Sequence, residues 1–133
     1  MIPVAILGGS GYTGVELMRL IANHPELNLV AVSSRQYQGQ AVASVFGALE
    51  GRVELDFAAA EPETLARQAD LVFLAVPHQT AMAAAPAVLE AGAKLVDLSA
   101  DFRLCNQQVY EQWYAPHSCP DILAEAVYGL PEF

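Results

Sequence analysis

The stretch Val4-Ala5-Ile6-Leu7-Gly8-Gly9-Ser10-Gly11-Tyr12-Thr13-Gly14-Val15-Glu16-Leu17 decides the fold. Val4 to Leu7 is aliphatic and partly β-branched, which suits a strand buried on both faces. Gly8, Gly11 and Gly14 then fall three apart, in a G-x-x-G-x-x-G pattern. Glycine lets the chain turn sharply and lets backbone N–H groups approach a diphosphate with no Cβ in the way. A helix starting near Thr13 points its unpaired N–H groups and positive dipole end at that anion. The alternative is an ordinary tight strand-to-helix turn. The position between a strand and a helix is the context dinucleotide binding requires, so Gly8, Gly9, Ser10, Gly11, Tyr12, Thr13 and Gly14 are expected to hold a dinucleotide.

Outward from this loop, Val15, Leu17, Met18, Leu20 and Ile21 make an apolar helical face, and Asn23-His24-Pro25 stops the helix. Leu27 to Val32 is the second strand, and a right-handed crossover makes it parallel to the first. Ala41 to Leu49 reads as a short helix and Arg52 to Phe57 as a third strand. Pro62 opens a helix over Glu63 to Gln68. Leu71 to Val76 is a continuously apolar fourth strand, closed by Pro77. Thr80 to Ala91 is helical, with Pro86 as a kink or break and Gly92 just past its end. Lys94 to Leu98 is the fifth strand. Gln107 to Tyr114 reads as helix, Asp121 as the cap of a short helix, and Val127-Tyr128 as a sixth strand.

Strands alternating with helices predict one α/β domain over residues 1–133, a doubly wound parallel sheet of Rossmann type in the order 3-2-1-4-5-6. Ligands of such sheets bind outside the carboxyl ends of the strands. Gly8 to Thr13, Ser33 to Arg35, Pro77-His78 and Ser99 to Arg103 all fall at such ends. A ribose reader is expected about 20 residues past the glycines. An acidic side chain there would bond a 2′-hydroxyl. This chain has Ser33-Ser34-Arg35, and a guanidinium instead binds a 2′-phosphate bidentately. Ser34 and Arg35 therefore favour NADP over NAD; the alternative for Arg35 is a solvated loop arginine.

The 133 residues are 54% hydrophobic and 16% charged, which is globular composition. A net charge of -9 argues against a nucleic-acid partner. No basic segment precedes the first apolar run, and Pro77-His78-Gln79-Thr80 interrupts the uncharged stretch from Leu71 to Leu89. Neither a signal peptide nor a membrane span is expected, and a cytoplasmic location fits. The two cysteines, Cys105 and Cys119, are too few for a disulfide framework and lack a metal-site pattern.

Gly8 to Gly14, Ser34-Arg35, Val76-Pro77-His78, Val96-Asp97-Leu98-Ser99-Ala100-Asp101-Phe102-Arg103 and Val127-Tyr128-Gly129-Leu130-Pro131-Glu132 stand in the order of a known family. Along its entire length the chain resembles the N-terminal half of N-acetyl-gamma-glutamyl-phosphate reductase, an enzyme of arginine biosynthesis. The resemblance implies an oxidoreductase that uses NADPH to reduce a small acyl phosphate to a semialdehyde. In that family a cysteine thiolate displaces phosphate and a histidine acts as acid/base. It implies that Arg103 holds the substrate phosphate and that Pro77, Ser99 and His78 face the cofactor and active site; for Arg103 an ion pair with Asp101 is the alternative, and His78 could equally hydrogen-bond its own loop.

The family's Asn-Pro-Gly-Cys nucleophile segment is not present, and Cys105 and Cys119 lie outside such a context. The expectation is therefore no catalytic residue in this chain, which would be the cofactor-binding part of a larger two-domain, homo-oligomeric enzyme. Aspartate-semialdehyde dehydrogenase, with the same chemistry, is an alternative reading. A short-chain reductase fits less well, because Lys94 has no tyrosine four residues before it. A non-catalytic NADP-sensing module is the alternative outside the enzymes.

Overall fold

In a computed structural model, which describes residues 1–132, four parallel strands form one sheet in the order β2-β1-β3-β4. These are β1 (Ile2–Leu7), β2 (Leu27–Val32), β3 (Leu71–Leu74) and β4 (Lys94–Asp97). The helices are α1 (Tyr12–Ala22), α2 (Val42–Val45), α3 (Pro62–Ala66), α4 (Thr80–Glu90), α5 (Gln107–Trp113) and α6 (Pro120–Glu125). The four strands keep the expected relative positions, and the Rossmann-type class holds.

Val4 to Leu7 are at most 3% exposed, so β1 is covered on both faces. Successive side chains of a strand point to opposite faces. Val4 and Ile6 accordingly pack with Met18 and Ile21 of α1, together with Val42 and Phe57. Ala5 and Leu7 pack with Leu65 of α3 and with Ala81, Ala84 and Val88 of α4. A third apolar cluster joins Met82 and Ala85 of α4 to Phe102, Tyr110 and Leu123. Leu20, expected on the apolar face of α1, is 51% exposed, because Gly14, Met18 and Ile21 define the buried stripe.

Two expected strands are not formed. Arg52 to Phe57 is not a strand, because its backbone pairs with the preceding loop: Val42 N–H donates to Leu55 O at 2.9 Å and Phe57 N–H to Gln40 O at 2.9 Å. Only Ala58 reaches the sheet, bridging Ser33 in parallel, in the place expected for that strand. Val127-Tyr128 is not a strand either; Val127 is 89% exposed, and the side chain of Tyr128 lies against Arg103. Asp121 does not cap α6; it sits in the first turn, and Cys119 is the capping position.

Pro86 neither breaks nor ends α4. A proline has no N–H to give the carbonyl four residues earlier. That carbonyl belongs to Met82, and it accepts instead from the Cys119 thiol at 3.3 Å. Gly92, at φ +87°, supplies the left-handed residue that closes α4.

Candidate functional site

The glycine loop joins β1 to α1 and is tied to the end of β2. Gly8 N–H donates to Ser33 Oγ at 3.2 Å, and Gly9 N–H donates to Ser33 O at 2.7 Å. Ser34 Oγ donates to Ser10 Oγ at 2.9 Å and accepts from Tyr37 N–H at 3.1 Å. Ser33 and Ser34 are both buried. The Ser34 hydroxyl, expected to meet a ribose phosphate, is thus engaged inside the protein, whereas Arg35 beside it is exposed.

The glycines are not equivalent. Gly8 has φ +87°, a conformation side chains rarely adopt. A Cβ on Gly14 would stand 2.6 Å from the backbone of Gly9. Gly11 has φ -80°, and a Cβ there would meet no atom within 4 Å. The first two are required by the chain's own geometry. Gly11 is not; its Cβ would enter open space in front of α1.

That space is a cavity of about 470 Å³. Gly8, Ser10, Gly11, Ser34, Arg35 and Pro77 of the expected residues line it, joined by Thr80, Ala83 and Ala84 of α4. Gly9 and Gly14 are buried behind the loop, and Tyr12 and Thr13 are exposed beside it. No side chain caps α1. The N–H groups of a helix's first turn have no acceptor within the helix and carry the positive end of its dipole. Among the described residues the ion pairs are Arg19–Glu16 and Arg67–Glu63, so Arg35 has no carboxylate partner. An uncapped helix end and an unpaired guanidinium therefore border one cavity, which fits a polyanionic ligand such as a dinucleotide.

Ser99 and Arg103 lie elsewhere. They line a larger groove of about 820 Å³ beside β4, with Asp97, Tyr128 and Leu130. It is the bigger of the two but has neither a glycine loop nor a helix N-terminus, so size does not make it the nucleotide site. The Ser99 hydroxyl donates to Asp97 Oδ2 at 2.8 Å and accepts from Asp101 N–H at 3.1 Å. Burial pushes the Asp97 carboxyl above its ordinary range, and the two bonds from Ser99 act against it. Arg103 donates to Ser99 O at 3.2 Å, and its guanidinium sits 5.9 Å from the Tyr128 ring centroid. It does not pair with Asp101. His78 is exposed, lines neither cavity, and has its ring 6.0 Å from that of Tyr114.

Sequence reasoning missed the buried polar group centred on Asp101. Asp101 is wholly buried. It accepts from Gln79 N–H at 3.0 Å, Met82 N–H at 2.8 Å and Tyr110 Oη at 2.7 Å. His117 Nε2 lies 2.8 Å from Asp101 O, and its Nδ1 accepts from Cys119 N–H at 3.2 Å. That acceptor role assigns the ring proton to Nε2, which then donates to Asp101. Burial, followed by the bond to Asp101, raises the Tyr110 pKa. Burial likewise pushes the Cys119 thiol up, which disfavours the thiolate a nucleophile needs. Among the described residues no group of three or more His, Cys, Asp or Glu could hold a metal ion, and no helix is long and apolar enough to cross a membrane.

Comparison with known proteins places the chain in a family. The N-acetyl-gamma-glutamyl-phosphate reductase of Desulfotalea psychrophila is 55% identical over 132 residues, which are 99% of this chain and 38% of that protein. The enzyme of the same name from a Janthinobacterium species is 55% identical over 133 residues, again 38% of its length. The chain thus spans about 38% of the length of the curated relatives it matches. The aspartate semialdehyde dehydrogenase of Candida albicans, solved with NADP, superposes with a TM-score of 0.68 at 21% identity, over 77% of this chain and 31% of that one. That likeness is one of fold. Residues 3–133 match the family described as semialdehyde dehydrogenase, NAD binding domain. The chain belongs to the NAD-binding domain family of the semialdehyde dehydrogenases.

Proposed function

We propose that the chain is the NADP-binding domain of a two-domain reductase that converts N-acetyl-glutamyl phosphate to N-acetylglutamate semialdehyde. Identity above 50% to reductases of that name supports this substrate over the aspartate-derived one. The observation that carries the cofactor reading is the unpaired, exposed Arg35 on the cavity that receives the uncapped end of α1. The first turn of α1 would hold the diphosphate, and Arg35 the 2′-phosphate. Bound NADPH would supply the hydride. Arg103 would bind the substrate phosphate from the neighbouring groove, and the attacking thiol would come from the longer protein, a cytoplasmic homo-oligomer.

The test is calorimetric titration of NADPH and NADH into the wild type and Arg35→Ala. A charge-assisted contact is worth about 1.5–3 kcal/mol, so NADPH affinity should fall roughly 10- to 100-fold, with little change for NADH. An unchanged ratio of the two affinities refutes the role of Arg35.

A further inference from the structure

We propose that Asp101 is a positioning residue for the nicotinamide half of the cofactor, acting through the Pro77–Gln79 turn; this rests on the cofactor reading above. The sheet order places the ends of β2 and β3 on opposite sides of the end of β1. With the diphosphate at β1 and the 2′-phosphate at Arg35 beyond β2, the other half of the dinucleotide extends over the end of β3. There Pro77 and Thr80 line the same cavity as Gly11.

The turn between them is unusual. Gln79 has φ 70° and ψ -41°, and it is the one non-glycine residue with positive φ among those described. Side chains avoid this region, and it persists only where surrounding structure enforces it. Gln79 is also the capping position of α4, yet its own side chain caps nothing. The capping is done from 22 residues away: Asp101 Oδ1 accepts from Gln79 N–H and Oδ2 from Met82 N–H. One carboxylate thus spans the strained residue and the first turn of the helix, fixing their relative orientation.

Asp101 is itself held on every side. Tyr110 Oη donates to its carboxylate, His117 donates to its carbonyl, and its own N–H bonds Ser99. A second arm runs from Tyr110 to Tyr114, stacked at 5.0 Å between centroids, and from Tyr114 to His78. The residues on either side of the strained peptide, His78 and Gln79, are therefore both referred to Asp101. A group serving only to cap α4 would stabilise the fold without favouring one half of the ligand. A positioning residue acts selectively on the half that meets the turn.

The experiment compares NADPH with adenosine 2′,5′-bisphosphate, which carries the adenine half alone. Asp101→Asn keeps the shape but replaces one acceptor oxygen by a donor. It should weaken NADPH by about tenfold while leaving the bisphosphate within about twofold. The emission of bound NADPH should shift toward that of the free cofactor. Adding Gln79→Gly, which removes the penalty of positive φ, should restore most of the NADPH affinity. Equal losses for both ligands, an unchanged NADPH affinity, or a selective loss that Gln79→Gly does not rescue overturns the proposal. Should Asp101→Asn not fold, Tyr110→Phe removes one of the three donors to the Asp101 carboxylate. A selective loss of NADPH affinity in that variant supports the proposal, and none overturns it. Failure of the wild type to bind either ligand overturns the cofactor reading instead.

Discussion

Gly11 separates what the fold needs from what a ligand needs. Replacing it with valine places a Cβ and two methyls where no atom beyond the adjoining residues lies within 4 Å of the Cβ position, on a backbone already at φ -80°. At the capping position of a helix, losing glycine costs a fraction of a kcal/mol, offset by the reduced entropy of the unfolded chain, about 0.4–1 kcal/mol for Gly→Ala. Urea unfolding should therefore place Gly11→Ala, and within about 1 kcal/mol Gly11→Val, at wild-type stability. Gly14→Ala is the control. Its Cβ would stand 2.6 Å from the backbone of Gly9, which cannot rotate away. Overpacking of about 1–3 kcal/mol then exceeds the roughly 1 kcal/mol that alanine gains in a helix. In calorimetry with NADPH, Gly11→Val should lose about 3 kcal/mol, roughly 100-fold in Kd, as its methyls displace the diphosphate from the helix N–H groups. A folded Gly11→Val with wild-type affinity would refute the placement of the diphosphate. A variant destabilised as much as Gly14→Ala would show that the chain itself needs that glycine.

Three further outcomes are expected. Cys105 is exposed, whereas the Cys119 thiol is half-buried, bonded to Met82 O and raised in pKa, so a thiol reagent should titrate one cysteine at least about tenfold faster than the other; equal rates contradict this assignment. Burial holds the Asp97 pKa above its ordinary 3.8, so the folded state takes up its proton first. This residue's contribution to stability should rise as pH falls through the window above that value and be lost as pH climbs out of it. That slope should vanish in Asp97→Asn, and identical pH dependence of the urea midpoints would contradict the assignment. Lastly, residues 1–133 saturated with NADPH should show no acyl-phosphate reductase turnover, since neither Cys105 nor Cys119 lines either cavity and the Cys119 thiol is pushed up in pKa by burial; turnover abolished by Cys105→Ser or Cys119→Ser would reverse this.

The organising loop was legible because its information is local. An apolar run, spaced glycines and an amphipathic helix follow one another within the first 22 residues, and β1, the loop and α1 formed there. Leu27 to Val32 was legible for the same reason. Arg52 to Phe57 has a strand-like alternation, but Val53 and Phe57 enter the core while the backbone pairs with residues 40–42. Alternation reports which side chains are buried, not which strand accepts the hydrogen bonds. The network around Asp101 was invisible for a different reason. Its bonds join residues 9 to 22 apart through a capping interaction that ordinarily comes from the residue beside the helix. Arg103 and Ser99 were correctly placed at the end of β4, yet no sequence rule says that this end opens onto a second groove.

The outer edge of β4 bears on how the chain behaves in concentrated solution. Among the described residues β4 pairs with β3 on one side only. The other side presents a row of amide groups flanked by Val96 and Leu98, each 39% exposed. Such an edge is a template on which any passing extended segment can crystallise into further sheet. At neutral pH the net charge of -9 keeps molecules apart. Acidification discharges the carboxylates and with them the colloidal repulsion, while the amide row is unaffected. Loss of solubility should therefore precede loss of the fold as the isoelectric point is approached.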